Sequence, residues 1–246
     1  GVGWQQVLSL QPLLPSLQEL HLSGNDISSL APPAEHGASP VAQTAVVPGF
    51  EQLQFLALED NQLSDWAEVA RLRALPSLAK LHLSNNPLAT LWYPDDGADG
   101  GAQPKMFPQL SSLLLAGCRL ADWAQMHQLD RFPSLRELRV TGNPMLGLSK
   151  SGGRFEVIGR VSGLTFLNGA DVKPRERKDS EMRYLQNILA DVADAGADAD
   201  AAAAVKAQHP RLEALMATYG AVLPSGGQGG GAHGALSSGM IDVKLT

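Results

Sequence analysis

The segment LAKLHLSNNPL (78–88) recurs with few changes along the chain, as LQELHLSGNDI (17–27), LQFLALEDNQL (53–63), LSSLLLAGCRL (110–120) and LRELRVTGNPM (135–145). Each copy places apolar residues at its first, fourth, sixth and eleventh positions and an Asn or Cys at the ninth. Alternate residues of an extended strand face opposite sides. Leu20/Leu22, Leu56/Leu58, Leu81/Leu83, Leu113/Leu115 and Leu138/Val140 therefore share one inward face. Asn25, Asn61, Asn86, Cys118 and Asn143 fall at one structural position, where a short polar side chain can bond the backbone of the neighbouring turn and satisfy buried amides.

This is the leucine-rich-repeat signature, one short strand per repeat stacked into a solenoid. The second half of each repeat is also legible. Trp66, Val69, Leu72 and Leu75 recur every three residues before Pro76, as do Trp123, Met126, Leu129 and Phe132 before Pro133. That spacing predicts helical or 3₁₀ segments outside, with Asp65 and Asp122 as N-caps. Trp4, Val7 and Leu10 resemble the convex half of an earlier repeat, and Gly1 in place of Met suggests a fragment. The expected fold is an α/β solenoid: a leucine-rich-repeat array with a curved parallel sheet inside, helical or 3₁₀ segments outside and a helical C-terminal cap.

Repeat starts are spaced by 36, 25, 32 and 25 residues, so residues 31–49 and 92–104 are insertions. Both read as surface loops, either tolerated insertions or, for Trp92, Tyr93, Asp95 and Asp96, a rim contact. Leu164 and Leu167 open a sixth repeat that is not completed. Pro174 can start a capping helix with Met182, Tyr184, Leu185, Ile188, Leu189 and Val192 on its apolar stripe. Lys173, Arg175, Arg177, Lys178 and Arg183 interleave with Asp171, Glu176, Asp179 and Glu181, which favours a solvated helix over a nucleic-acid patch. The domain reading is 1–190 repeats and cap, 191–208 an Ala/Asp tract, 209–223 a short amphipathic helix with Gly220 at C′, 224–239 a Gly/Ser linker and 240–246 the first strand of a further domain.

No run of about 18 apolar residues and no secretory leader is present, which gives no support to a membrane role. The net charge of −6 argues against a nucleic-acid partner. The single cysteine, Cys118, reads as a buried member of the asparagine ladder. Strand residues between the buried leucines form the concave face: Glu19, Phe55, Lys80, Ser112 and Glu137 in one row, His21, Ala57, His82, Leu114 and Arg139 in the next, and Glu59 in a third. Phe55 and Leu114 are apolar where the fold asks for nothing apolar, as the core of a protein interface is. His21 and His82 come from non-adjacent strands roughly 10 Å apart, too far to share a metal with Glu59. Nucleotide-loop, zinc-protease and nucleophile-elbow motifs are all missing, so neither catalytic residues nor cofactors are expected.

The W-x-x-V-x-x-L convex half, the segment GLTFLNGADVKPRERKDSE (163–181) and HPRLEALMATYG (209–220) together resemble the tubulin-specific chaperone E family. MIDVKLT (240–246) is similar to the opening strand of ubiquitin-like domains. The resemblance implies a cytoplasmic, cytoskeleton-associated protein that binds α-tubulin and works with other tubulin-folding cofactors and an Arf-like GTPase to assemble or take apart the αβ-tubulin dimer. The repeats alone leave open another intracellular adapter, such as a phosphatase-regulating or dynein-assembly scaffold.

Overall fold

The computed structural model describes residues 1–32, 46–93, 106–147, 153–196 and 198–220. Most of both insertions, including Asp95 and Asp96, and the expected linker and final strand at 224–246 lie outside these residues. Seven strands form one sheet in sequence order: β1 (Glu19–His21), β2 (Phe55–Ala57), β3 (Lys80–His82), β4 (Ser112–Leu114), β5 (Glu137–Arg139), β6 (Phe166–Leu167) and β7 (Ala170–Asp171). Pairing is parallel from β1 to β6, with Leu20, Leu56, Leu81, Leu113, Leu138 and Leu167 side by side. The last five are fully buried, and the expected solenoid register holds throughout. The helices are α1 (Trp4–Leu10), α2 (Trp66–Ala70), α3 (Ala124–Asp130), α4 (Pro144–Gly147), α5 (Arg154–Arg160), α6 (Pro174–Asp194), α7 (Ala199–Ala207) and α8 (Leu212–Tyr219).

Each of the strands β1 to β5 stops after three residues because the chain turns sharply just before the ladder position. Gly24, Asp60, Asn85, Gly117 and Gly142 hold φ between +54° and +74° there, a region open to Gly and tolerated by Asp and Asn. At Gly117 a Cβ would also fall 2.3 Å from Asn85 Oδ1. The next residue then bridges two repeats. Asn86 Nδ2 donates to the carbonyls of Leu58 and Leu83 at 2.8 and 2.9 Å, while its Oδ1 accepts from the Leu63 N–H at 3.0 Å. Asn61 and Asn143 repeat the arrangement. Cys118 places its Sγ 3.6 Å from the Leu83 carbonyl, and burial pushes its thiol up to about 11. At the first repeat Asn25 is half-buried and instead accepts from Val2 N–H at 2.7 Å.

On the convex side Asp65 caps α2 as expected, accepting from Ala67 N–H at 2.8 Å, whereas Asp122 accepts from Ala124 N–H at 2.8 Å from one residue ahead of α3's N-cap, Trp123. Trp66, Val69, Leu72 and Leu75 are buried, with Leu72 and Leu75 in turns beyond α2. Leu10 departs from its expected inward position and is 50% exposed. In a continuous α-helix each i,i+3 step rotates by about 60°, so the third member of such a series leaves the apolar stripe.

At the C-terminal end Asn168 and Gly169 turn the chain at positive φ, and β7 returns antiparallel to β6. Asn168 Oδ1 accepts from Val140 N–H at 2.8 Å. Helix α6 crosses the expected boundary at 190 and ends at Asp194, and Gly196, with φ +62°, turns the chain just beyond it. The second half of the Ala/Asp tract is a separate helix, α7, because Asp198 caps it by accepting from Asp200 and Ala201 N–H. Gly220 closes α8 in the right-handed region, φ −56°, and not as a left-handed C′ residue.

Polar side chains clamp this cap. Arg160 Nη1 lies 2.6 Å from His127 Nε2, and its guanidinium sits over Trp123 and Tyr184 at 5.5 and 5.1 Å. An arginine can only donate, so His127 accepts and is neutral. The Tyr184 hydroxyl is 2.7 Å from His209 Nδ1. Arg211 donates to Glu181 at 2.9 Å and to the Gly159 carbonyl, and Tyr219 also donates to Glu181. Glu181 is thereby 6% exposed, correcting the expected solvated helix face. Burial raises its carboxyl, but the bonds from Arg211 and Tyr219 outweigh this and hold it below the usual range. Helices α5 and α6 meet at Gly159, where a Cβ would lie 2.6 Å from Tyr184 Cβ.

Asn86→Leu leaves three backbone groups without their side-chain partner, at about 1–3 kcal/mol for each buried group orphaned. Urea melts should show a clearly lower midpoint than for the native chain, and an unchanged midpoint would refute the ladder at this position. The cap predicts a pH dependence as well. Burial first, and then Arg160 and His209, lower His127 from 6.5 to about 4. Its contribution is complete above the unfolded value and declines as pH falls from 6.5 toward 4, by about 2 kcal/mol at pH 5. His127→Gln, which keeps an acceptor for Arg160, should flatten stability between pH 7 and 5 in denaturant melts.

Candidate functional site

The open inner face of the sheet gathers the residues expected to meet a partner. Glu19, Phe55, Lys80, Ser112 and Glu137 are in register across β1 to β5, as are His21, Ala57, His82, Leu114 and Arg139. Phe55 stands between two imidazoles: its ring meets His21 at 4.9 Å and His82 at 4.7 Å between centroids, edge to face in both cases. This places His21, Phe55 and His82 in one aromatic cluster across three strands. Phe55 and Leu114 are half-buried, so each is supported by neighbours and still offers apolar surface.

Carboxylates flank the cluster. His82 Nδ1 is 3.8 Å from Glu59 Oε1, and His21 Nε2 is 3.8 Å from Glu19 Oε2. Burial lowers the His82 pKa, with Glu59 and Glu137 opposing the shift. His82 is therefore neutral at pH 7, and the face presents Glu19, Glu59 and Glu137 against Lys80 and Arg139. A half-apolar centre within a mixed-charge rim is the anatomy of a protein interface.

Ser112 is a correction to the expected set. It is 3% exposed, as Ala57 is 2% exposed, because a short side chain in a register row is covered by longer neighbours such as Lys80 and Glu137. Tyr93 is also buried rather than on the rim. Its ring packs on Phe132 at 5.1 Å and its hydroxyl is 3.4 Å from the Met106 carbonyl. Trp92 is exposed, with its carbonyl accepting from Trp66 Nε1–H. The clamp itself is not legible in the sequence: His127 and Arg160 carry no signal there and Glu181 reads as solvated, because their partners lie on other elements. Among the described residues no group of three or more His, Cys, Asp or Glu side chains could hold a metal ion. No helix there is long and apolar enough to cross a membrane.

The stacked parallel strands, the asparagine ladder and the open inner face define a leucine-rich-repeat protein. A family model described as Leucine Rich repeat matches residues 14–30. A chain of the Drosophila melanogaster SNF/U2A′ complex shares the fold, with a TM-score of 0.50 and 21% identity over 74% of this chain and 91% of its own. Over its whole length the chain is homologous to the tubulin-folding cofactor E family, also named tubulin-specific chaperone E. It is 32% identical to tubulin-folding cofactor E of Arabidopsis thaliana over 100% of this chain and 44% of the relative. It is 29% identical to tubulin-specific chaperone E of Homo sapiens over 90% of this chain and 40% of the relative. The chain thus spans less than half the length of these relatives.

The aromatic cluster predicts a measurable link between two of its members. Phe55→Ala removes the ring that helps to keep water from His82, so the imidazole should titrate closer to 6.5. NMR titration of the histidine ring signals checks this, and an unmoved His82 midpoint would mean that its burial comes from elsewhere.

Proposed function

We propose that this chain is the tubulin-binding platform of a tubulin-folding cofactor. Its concave face, centred on Phe55 and Leu114, meets α-tubulin, with Glu19, His21, Glu59, Lys80, His82, Glu137 and Arg139 around them. In this reading the cytoplasmic, cytoskeleton-associated protein works with other tubulin-folding cofactors and an Arf-like GTPase in assembly and dissociation of the αβ-tubulin heterodimer. The observation that carries it is the extent of the similarity: it covers the cap and the HPR segment as well as the repeats, so it is not a likeness of leucine spacing alone. No bond is made or broken by the face. A chaperone of this kind acts by holding one conformation of its client more tightly than another, and can shift an equilibrium by no more than that difference in affinity.

The test is a binding titration against tubulin. Phe55→Ala with Leu114→Ser should weaken binding by about fivefold to thirtyfold, the equivalent of about 1–2 kcal/mol for a truncated anchor. Lys206→Ala, exposed on α7 away from the sheet, serves as the control. Equal affinities for the double variant, the control and the native chain would remove the contact from the concave face.

A further inference from the structure

Folding sorts the charges of the cap. Along residues 171–183 four acids nearly balance five bases in sequence, yet Glu176 and Glu181 turn inward. Glu176 receives Arg154 through two bonds, at 2.6 and 3.1 Å, and Glu181 is buried among Arg177, Arg211 and Tyr219. Lys173, Arg175, Lys178 and Arg183 stay exposed. Asp179 is the one acid of α6's first turns left beside them, 3.8 Å from Arg175 in a pair open to water. The chain's net charge is −6, and this face is locally of the opposite sign.

A groove of about 440 Å³ runs along that face, lined by Phe155 of α5 and by Lys173, Arg175, Glu176, Asp179, Ser180 and Arg183; its two carboxylates are already paired, Glu176 with Arg154 and Asp179 with Arg175. Arg183 lies over the Phe155 ring at 4.0 Å, which fixes the guanidinium at the groove wall. The groove lies beside the N-terminus of a 21-residue helix that no side chain caps, so the helix dipole adds to the positive potential.

We propose that this groove is a docking site for an acidic polypeptide segment, whose carboxylates meet Lys173, Arg175 and Arg183. Charge complementarity selects the occupant. A nucleic acid needs either an open aromatic face for stacking or a long basic track. Here the one ring is covered by Arg183, the cations span a single groove, and the rest of the chain is acidic. A membrane surface needs an apolar wedge beside the cations. Among the described residues the exposed large hydrophobics, Val2, Leu10, Leu13, Leu14, Val46 and Trp92, all belong to the N-terminal half of the chain. The proposal is independent of the tubulin reading of the concave face.

The experiment follows the anisotropy of a labelled oligoglutamate peptide titrated with the full chain at physiological salt. The native chain should bind it saturably, and Lys173→Glu with Arg175→Glu should lose at least about tenfold in affinity. Arg119→Glu with Lys206→Glu alters the net charge equally at exposed sites elsewhere and should change affinity by less than about twofold. Lys173→Gln with Arg175→Gln removes the charges without reversing them and should fall between, which keeps the test decisive if the reversed pair disturbs α6. Equal losses in the groove and control pairs would overturn the proposal, as would native binding no tighter than to a neutral Gly/Ser peptide. Groove-dependent binding of single-stranded RNA or of phosphatidylserine vesicles, without peptide binding, would also overturn it.

Discussion

A buried carboxamide that bonds two successive turns at once is the constraint on which this molecule rests. Stacking tight turns leaves N–H and C=O groups facing one another across repeats at distances the backbone cannot close by itself, and unpaired buried amides are costly. Asn61, Asn86 and Asn143 close those gaps with a donor and an acceptor on one short side chain. A glycine, aspartate or asparagine just before each ladder residue supplies the left-handed turn that aims the side chain. Strand length and leucine register both follow from that repeated corner. A second, lighter tie runs along the convex side, where Ser77 and Ser134 donate to the carbonyls of Glu51 and Pro108 in the preceding repeats.

Much of this was legible in the sequence because repetition turns a weak local pattern into a strong one. The leucine register, the ladder and the aspartate caps depend on neighbours that have the same sequence, so reading one repeat reads its surroundings. Legibility failed where surroundings were not repeated. Leu10 fits the three-residue spacing, but α1 continues as a true helix and carries it off the stripe. Ser112 occupies a concave position by count and is covered by neighbours whose lengths the count ignores. Tyr93, next to an insertion, is buried by contact with Phe132 two repeat halves away.

The cap was the least legible part, for an electrostatic reason. Alternating acids and bases on a helix read as solvated when each residue is weighed alone. Their fate is decided by what packs on the helix, and here HPRLEALMATYG brings Arg211 and Tyr219 to Glu181 and His209 to Tyr184. A buried charge is tolerable only with several hydrogen-bonded partners, so Glu181 and the HPR segment are structurally interdependent. That interdependence accounts for the cap and the HPR segment forming one recognisable signature although about 30 residues separate Glu181 from Arg211.

The strand rows and the C-terminal clamp therefore do different jobs for the inner face. Rows of side chains in strict register hold Phe55 between His21 and His82 without a flexible loop, so ordering the site costs little when a partner arrives. The clamp of His127, Arg160, Tyr184, His209 and Arg211 closes the C-terminal end of the stack, where an exposed last repeat would otherwise leave the leucine row open to water. On the proposed reading, rigidity at the centre would let the platform discriminate between conformations of a client: a face that reshapes itself fits both states equally and shifts neither, whereas one fixed by its backbone register favours the state it matches.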